Sequence, residues 1–343
     1  MYALEGFVVK GDGSLTLVQD IPEPVTDDYE VLTKTIACGI CNGTDVKLVE
    51  GKLRGFTDYP AVLGHEAVGE VIRVGKKVRN FKVGDHVLRT NLKDTDAYFS
   101  LWGGFAKYGC ANDYMARVED GLPADIGTCT QQIIPREIDP IDGVMIITLK
   151  EICSALHRLG LKKGMRIVIA GCGPVGISMA ALAKQMGAGK ILLSGHHEER
   201  LKTAGRMGAD WIVNSKKEVL TKAVKTAMPE GVDLFVDCVG RTSIIDEGMQ
   251  VIKESGKIGL YGIGMHTGDT IDWDKSPYNF QLHSVQWPIA EEEKAVHEEV
   301  IRYVIDGKIN LRELVTHRLP AEKYETGFEL VKNRKGLKIA IEF

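Results

Sequence analysis

The chain has 343 residues, 44% of them hydrophobic and 26% charged, which is longer than one hydrophobic core usually serves and points to a globular protein of two domains. Its formal net charge of -4 at pH 7, with acids and bases intermixed, offers no field for a polyanion, so no nucleic-acid partner is expected. The N-terminal stretch carries acids where an export signal needs an unbroken apolar run, and no later run approaches membrane-spanning length; a cytoplasmic protein with no membrane partner is expected.

From Met1 to about Ile146, apolar runs such as YEVLTKTIACGI and AVGEVIRVGKKV are broken by glycine, proline and acidic turns. Short alternating strands with tight turns predict an irregular β-rich domain. Seven scattered cysteines do not resemble the dense, even set of a secreted disulfide framework, so any cluster among them reads as a metal or catalytic site.

Beyond Lys150 the texture changes. RIVIAG, KILLSG, WIVN, LFVDCVG and KIGLYGI are short, nearly continuous apolar runs separated by stretches of helical or turn character. Strands apolar on both faces that alternate with helices predict a doubly wound parallel sheet, a Rossmann domain in an α/β chain. Near Glu291 the segment EEKAVHEEVIRYVIDGK has helical amphipathicity, and LKIAIEF closes the chain as a strand.

Gly171, Gly173 and Gly176 form G-x-G-x-x-G after the first of those strands and at the start of a helix, with Pro174 and Val175 completing the turn. The first glycine permits the tight turn, the second lets a pyrophosphate approach the backbone, and the third allows close helix-to-strand packing. A dinucleotide is therefore expected here, the alternative being a packing turn without ligand. An NAD site usually carries an acid about 20 residues on, at the end of the second strand. Here that strand ends in Ser194, Gly195, His196 and His197. Without the acid there is no repulsion against a ribose 2'-phosphate, and Ser194, His196 and Arg200 offer donors to one. NADP(H) is thus expected over NAD(H), unless Arg200 and the histidines are only a solvated helix start.

Two segments of the first domain complete the pattern: ACGICNGTDVK, and LGHEAVGEVIRVGKKV, which fits G-H-E-x2-G-x5-G-x2-V through Gly64, His65, Glu66, Gly69, Gly75 and Val78. With the glycine turn in the right order, they closely resemble the zinc-containing alcohol dehydrogenases of the medium-chain dehydrogenase/reductase family, over essentially the whole chain. The resemblance implies a GroES-like catalytic domain over residues 1–147, a Rossmann domain over 148–289 and a return to the catalytic domain over 290–343. It implies one catalytic zinc held by Cys41 and His65, with Glu66 beside them as an exchangeable or supporting ligand. Thiolate and imidazole suit zinc, and a catalytic site keeps one position open.

Relatives usually place a Cys or Glu ligand about two dozen residues before the first fingerprint glycine, where this chain has Ile146 and Ile147. The nearest downstream carboxylate is Glu151, one helical turn along, and it is the expected third ligand; Asp142 lies just upstream, and Glu151 would otherwise be an acid favoured by the helix dipole. The four-cysteine lobe of many relatives has no counterpart, so no structural zinc is expected. Thr44 takes the place of the relay hydroxyl, and Lys47 stands where many relatives have a relay histidine.

The implied reaction is hydride transfer between nicotinamide and an alcohol or carbonyl compound polarised by zinc, with Thr44 passing the proton outward and Lys47 ending the relay or meeting cofactor phosphate. The competing readings are a zinc-free reductase of the same fold and a non-catalytic NADP-binding protein. Asp94, Asp96, Tyr98 and Trp102 hint at a polyol or sugar derivative, and relatives are commonly homodimers or homotetramers.

Overall fold

The computed structural model describes residues 3–264 and 269–343. They form two compact units. The first comprises residues 1–148, 290–305 and 311–343, and the second residues 149–289 and 306–310. The chain passes from one to the other within the helix Val144–Arg158.

The first unit is built on a seven-stranded sheet whose central strand, Glu30–Ile40, is buried along nearly all its length. Three neighbours pair with it antiparallel: Ala67–Val74, Tyr108–Asn112 and the C-terminal strand Lys338–Glu342. A smaller four-stranded sheet begins with the pair Ala3–Val9 and Leu15–Pro22. Phe7, Val9, Cys38, Ile40, Leu63, Phe105, Ile339 and Ile341 meet in one buried cluster of this unit. Such burial, at about 25 cal/mol per Å² of apolar surface, is what holds an irregular β-domain together.

Register places the functional residues. Ile339 lies opposite Ile40 and Cys38 opposite Ala67. Lys338, Cys41 and Glu66 each lie one residue beyond these pairs, so three segments far apart in sequence deliver their side chains to one end of the sheet.

In the second unit six strands run parallel in the order Trp211–Asn214, Lys190–Gly195, Arg166–Ala170, Val232–Asp237, Ile252–Leu260 and Gln281–Ser284. The five apolar runs of the sequence form the first five of these strands, and the sixth, QLHS, is too polar to have been read as one. Helices Pro174–Gln185, Glu198–Met207, Leu220–Ala227 and Thr242–Met249 alternate with the strands. Strand order reverses at Arg166–Ala170, which is where an open α/β sheet leaves a crevice for a ligand. The predicted amphipathic helix near Glu291 is two helices, Ala290–Ala295 and His297–Ile305, with Val296 as a turn between them.

Candidate active site

Cys41 follows the central strand, and a short helix, Asp45–Val49, starts four residues later. His65 and Glu66 come directly before the strand Ala67–Val74. Ligand atoms of Cys41, His65 and Glu66 all lie within 4.8 Å of one another. Thiol, imidazole and carboxylate at that separation are a donor set that zinc accepts.

The surroundings of His65 fit a metal as well. The ring is buried and turns Nδ1 toward Asp45 Oδ1 at 3.4 Å. Neither of these two buried atoms has a hydrogen-bond partner among the described residues. A histidine that binds a metal through one nitrogen offers its other N–H to a carboxylate of this kind, which fixes the tautomer. Burial disfavours a charge on His65, but Asp45 and Cys41 outweigh it and hold the imidazole well above its ordinary range. The second oxygen of Asp45 accepts the Cys41 backbone N–H at 2.8 Å, so one buried carboxylate faces both expected ligands. Arg89 adds a further constraint, donating to the His65 carbonyl at 3.2 Å and to both oxygens of buried Glu293 at 2.9 Å.

Glu66 is not idle while it waits beside them. Its Oε1 accepts the Thr148 hydroxyl at 2.6 Å, and the buried ammonium of Lys338 donates to both carboxylate oxygens. Burial raises the Glu66 carboxyl, yet Lys338, His65 and Thr148 together hold it below the usual range; burial likewise disfavours the Lys338 charge, which Glu66 restores. Room for this pair comes from Gly39, where a Cβ would stand 2.6 Å from Glu66 Oε2.

Glu151, the expected third ligand, lies half-buried on the helix Val144–Arg158. Glu66, expected beside the two ligands, does bring its carboxylate to Cys41 and His65, and Ile146 and Ile147 are both fully buried. Asp142 pairs with Arg318 at 2.6 Å. Among the four residues that hinted at a polyol, Asp94 accepts the Ser100 N–H at 2.7 Å, Tyr98 donates to Asp20 at 2.8 Å and Asp96 is exposed. Trp102 meets the site, its ring centroid 5.2 Å from that of His65.

Thr44 is buried and precedes the helix Asp45–Val49 without capping it through its hydroxyl. Lys47 lies half-buried on that helix. Burial lowers its ammonium below the ordinary range, opposed by the nearby Cys41. Asp45, Thr148 and Lys338 had no place in the sequence reading. Asp45, four residues after Cys41 and at the head of a short helix, was the most visible of them.

In the second unit the glycine turn has the geometry its motif requires. Gly171 has φ +128°, and a Cβ on Gly176 would stand 1.9 Å from the Gly171 carbonyl oxygen, so helix and strand pack too closely for any side chain there. Gly173 has nothing within 4 Å of its Cβ position and precedes a helix that starts with Pro174 and has no side-chain cap. An open backbone before uncapped helical N–H groups fits a pyrophosphate. Ser194 is buried near the end of its strand, the His196 and His197 rings meet tilted with centroids 4.3 Å apart, and Arg200 is half-buried in the first turn of the helix Glu198–Met207. No helix among the described residues is long and apolar enough to cross a membrane.

Residues 27–122 match a family described as alcohol dehydrogenase GroES-like domain, and residues 174–287 one described as zinc-binding dehydrogenase. The chain is 29% identical to sorbitol dehydrogenase of Ovis aries over 355 residues, covering 98% of this chain and 95% of that protein. It is 30% identical to L-threonine 3-dehydrogenase of Pyrococcus abyssi over 330 residues, covering 93% and 92%. Its fold matches the solved structure of 2R,3R-butanediol dehydrogenase from Bacillus subtilis with a TM-score of 0.80 at 22% identity, covering 99% of this chain and 100% of that one.

Proposed function

The chain belongs to the zinc-containing medium-chain alcohol dehydrogenases, and from that premise we propose that it interconverts a secondary alcohol and its ketone with NADP(H) at one catalytic zinc. The observation that carries this reading is the cluster of Cys41, His65 and Glu66 within 4.8 Å. Those three residues would hold the metal. When bound, zinc supplies Lewis-acid polarisation of the substrate oxygen and the nicotinamide supplies the hydride acceptor or donor.

The chain's own residues do the rest. Asp45 orients His65 and the Cys41 loop, and Lys338 with Thr148 holds Glu66 ionised and in reach. The Thr44 hydroxyl takes the substrate proton and passes it outward, and Lys47, whose ammonium burial has already lowered, ends the relay or meets cofactor phosphate. Gly171, Gly173, Pro174, Val175 and Gly176 receive the pyrophosphate. Ser194, His196 and Arg200 recognise the ribose with its 2'-phosphate, because residue 195 is glycine where an NAD enzyme places an acid.

A hydroxylated substrate, a polyol or sugar derivative, is supported by relatives named for sorbitol and L-threonine, with Trp102 forming an apolar wall at His65. A homodimer or homotetramer in the cytoplasm belongs to the same reading. The strand Gln281–Ser284 closes one edge of the parallel sheet with Leu282 and the nearby Trp287 exposed, an edge suited to pairing with a second copy.

The test is NADP⁺ reduction by zinc-reconstituted protein across sorbitol, simple secondary alcohols and primary alcohols. Turnover that depends on zinc and favours the secondary alcohols is expected. Turnover unaffected by chelation would favour a zinc-free reductase, and cofactor binding with no turnover a non-catalytic NADP-binding protein.

A further inference from the structure

We propose that Arg89, held by Glu293, is a positioning residue for the reaction: its guanidinium grips the main chain of His65 and so fixes where that imidazole meets the metal. The inference rests on the zinc reading above and adds a pair of residues to it.

His65 and Glu66 lie on a segment fastened mainly through its backbone. The carbonyls of Leu63, Gly64, Glu66 and Ala67 each accept a backbone N–H, from Phe105 at 2.8 Å, Gly104 at 2.8 Å, Gly39 at 3.0 Å and Arg89 at 2.7 Å. The His65 carbonyl is held differently, by Arg89 Nη1 at 3.2 Å. The same guanidinium meets Glu293 through two parallel bonds, Nε to Oε1 and Nη2 to Oε2, both at 2.9 Å. A planar fork engaged on both oxygens of one carboxylate has a fixed direction as well as a charge. Its remaining donor therefore reaches His65 from a fixed place. The Arg89 side chain is 13% exposed and that of Glu293 2%, so salt screens the pair little.

The backbone of Arg89 is bent to this task. Its φ is +56°, a left-handed conformation that favours glycine and that a side chain adopts at a cost. Its own N–H bond to Ala67 holds it there, together with Gln131 Nε2, which donates to the Arg89 carbonyl at 2.9 Å. Gln131 is fixed in turn, because its Oε1 accepts the Asn112 N–H at 2.7 Å. Glycine would take this turn without strain but could reach neither Glu293 nor His65. The far end is anchored as well. Glu293 lies in the helix Ala290–Ala295, where the next carbonyl, that of Lys294, accepts Gln132 Nε2 at 3.4 Å. Asp45 thus faces the ring of His65 while Arg89 holds its main chain, so the tilt of the imidazole and the point it swings from are set separately.

The experiment compares the unmodified chain with Arg89→Met and Arg89→Met/Glu293→Gln. Zinc affinity is measured by competition with a chromophoric chelator, Tm on metal-free protein, and ligand geometry from the visible spectrum of cobalt(II)-substituted protein. Arg89→Met strands a buried carboxylate, so it is expected to lower Tm, and the double variant to recover most of that loss. Zinc affinity is expected to fall about tenfold or more in both, with shifted cobalt bands, because the loss follows the main chain of His65 and not the charge of Glu293. A double variant with parental zinc affinity and cobalt spectrum overturns the proposal, since Arg89 then serves stability alone. If neither variant folds, Arg89→Lys decides. Its ammonium keeps a charge against Glu293 but is a single point that cannot span Glu293 and the His65 carbonyl. Zinc affinity is expected to fall again, and parental affinity overturns the proposal. An unmodified chain that binds no zinc overturns the zinc reading itself, whereas a difference sought only between variants and parent concerns Arg89.

Discussion

Lys338 is buried against Glu66, its ammonium donating to both carboxylate oxygens while the Thr148 hydroxyl donates to one of them at 2.6 Å. Breaking a buried pair strands a charge, whereas replacing both partners does not. Lys338→Met is expected to cost about 3–5 kcal/mol of stability, and Lys338→Met/Glu66→Gln to recover most of it. Denaturant unfolding of metal-free protein measures both. A double variant no more stable than the single would show that Glu66 does not depend on Lys338.

Zinc content distinguishes the two carboxylates. Since Glu66 stands within 4.8 Å of Cys41 and His65, Glu66→Gln and Cys41→Ser should both lower metal affinity, by about tenfold or more. Glu151→Gln should keep full zinc after the same chelator challenge and lose at most about 1 kcal/mol of stability as a helix acid. Loss of zinc from Glu151→Gln would return that residue to the metal shell.

Arg200 lies in the first turn of the helix that follows Gly195. If it meets the 2'-phosphate, Arg200→Ala should weaken NADPH by about tenfold and leave NADH nearly unchanged, because a charge-assisted bond to phosphate is lost from only one nucleotide. Parallel titrations at fixed salt read this directly. Equal weakening of both would place Arg200 in the fold and outside phosphate recognition.

Stability in acid should depend on Asp113. Its carboxylate accepts the N–H groups of Arg79, Asn80 and Ala116 at 2.7, 2.8 and 3.1 Å and the Asn80 side-chain amide at 2.7 Å. Burial pushes this carboxyl up, but those hydrogen bonds hold it below the ordinary 3.8. A folded-state value below the unfolded one means the stabilisation is fully present above 3.8 and is lost as pH falls through the folded value. Asp113→Ala should cost about 1–3 kcal/mol near neutral pH. The gap between variant and parent should narrow as pH drops below 3.8. A gap that stays constant from neutral pH down to strong acid would sink the charge argument.

The parallel sheet and its glycine turn were legible in the sequence because they are written locally. A strand buried on both faces needs a continuous apolar run, and the phosphate turn needs three glycines at fixed spacing. Cys41, His65 and Glu66 were legible as ligands through the family resemblance that their two segments carry. Tertiary structure decided what surrounds them. Lys338 lies 272 residues from Glu66, and only the register that sets Ile339 against Ile40 brings it there. The backbone also brings Glu66 within 4.8 Å of Cys41 and His65, and no spacing rule carries that distance. Asp94 and Tyr98 hinted in the sequence at a hydroxylated substrate, and only the fold shows their hydrogen bonds to Ser100 and Asp20, because a carboxylate or hydroxyl looks the same in sequence whatever it meets.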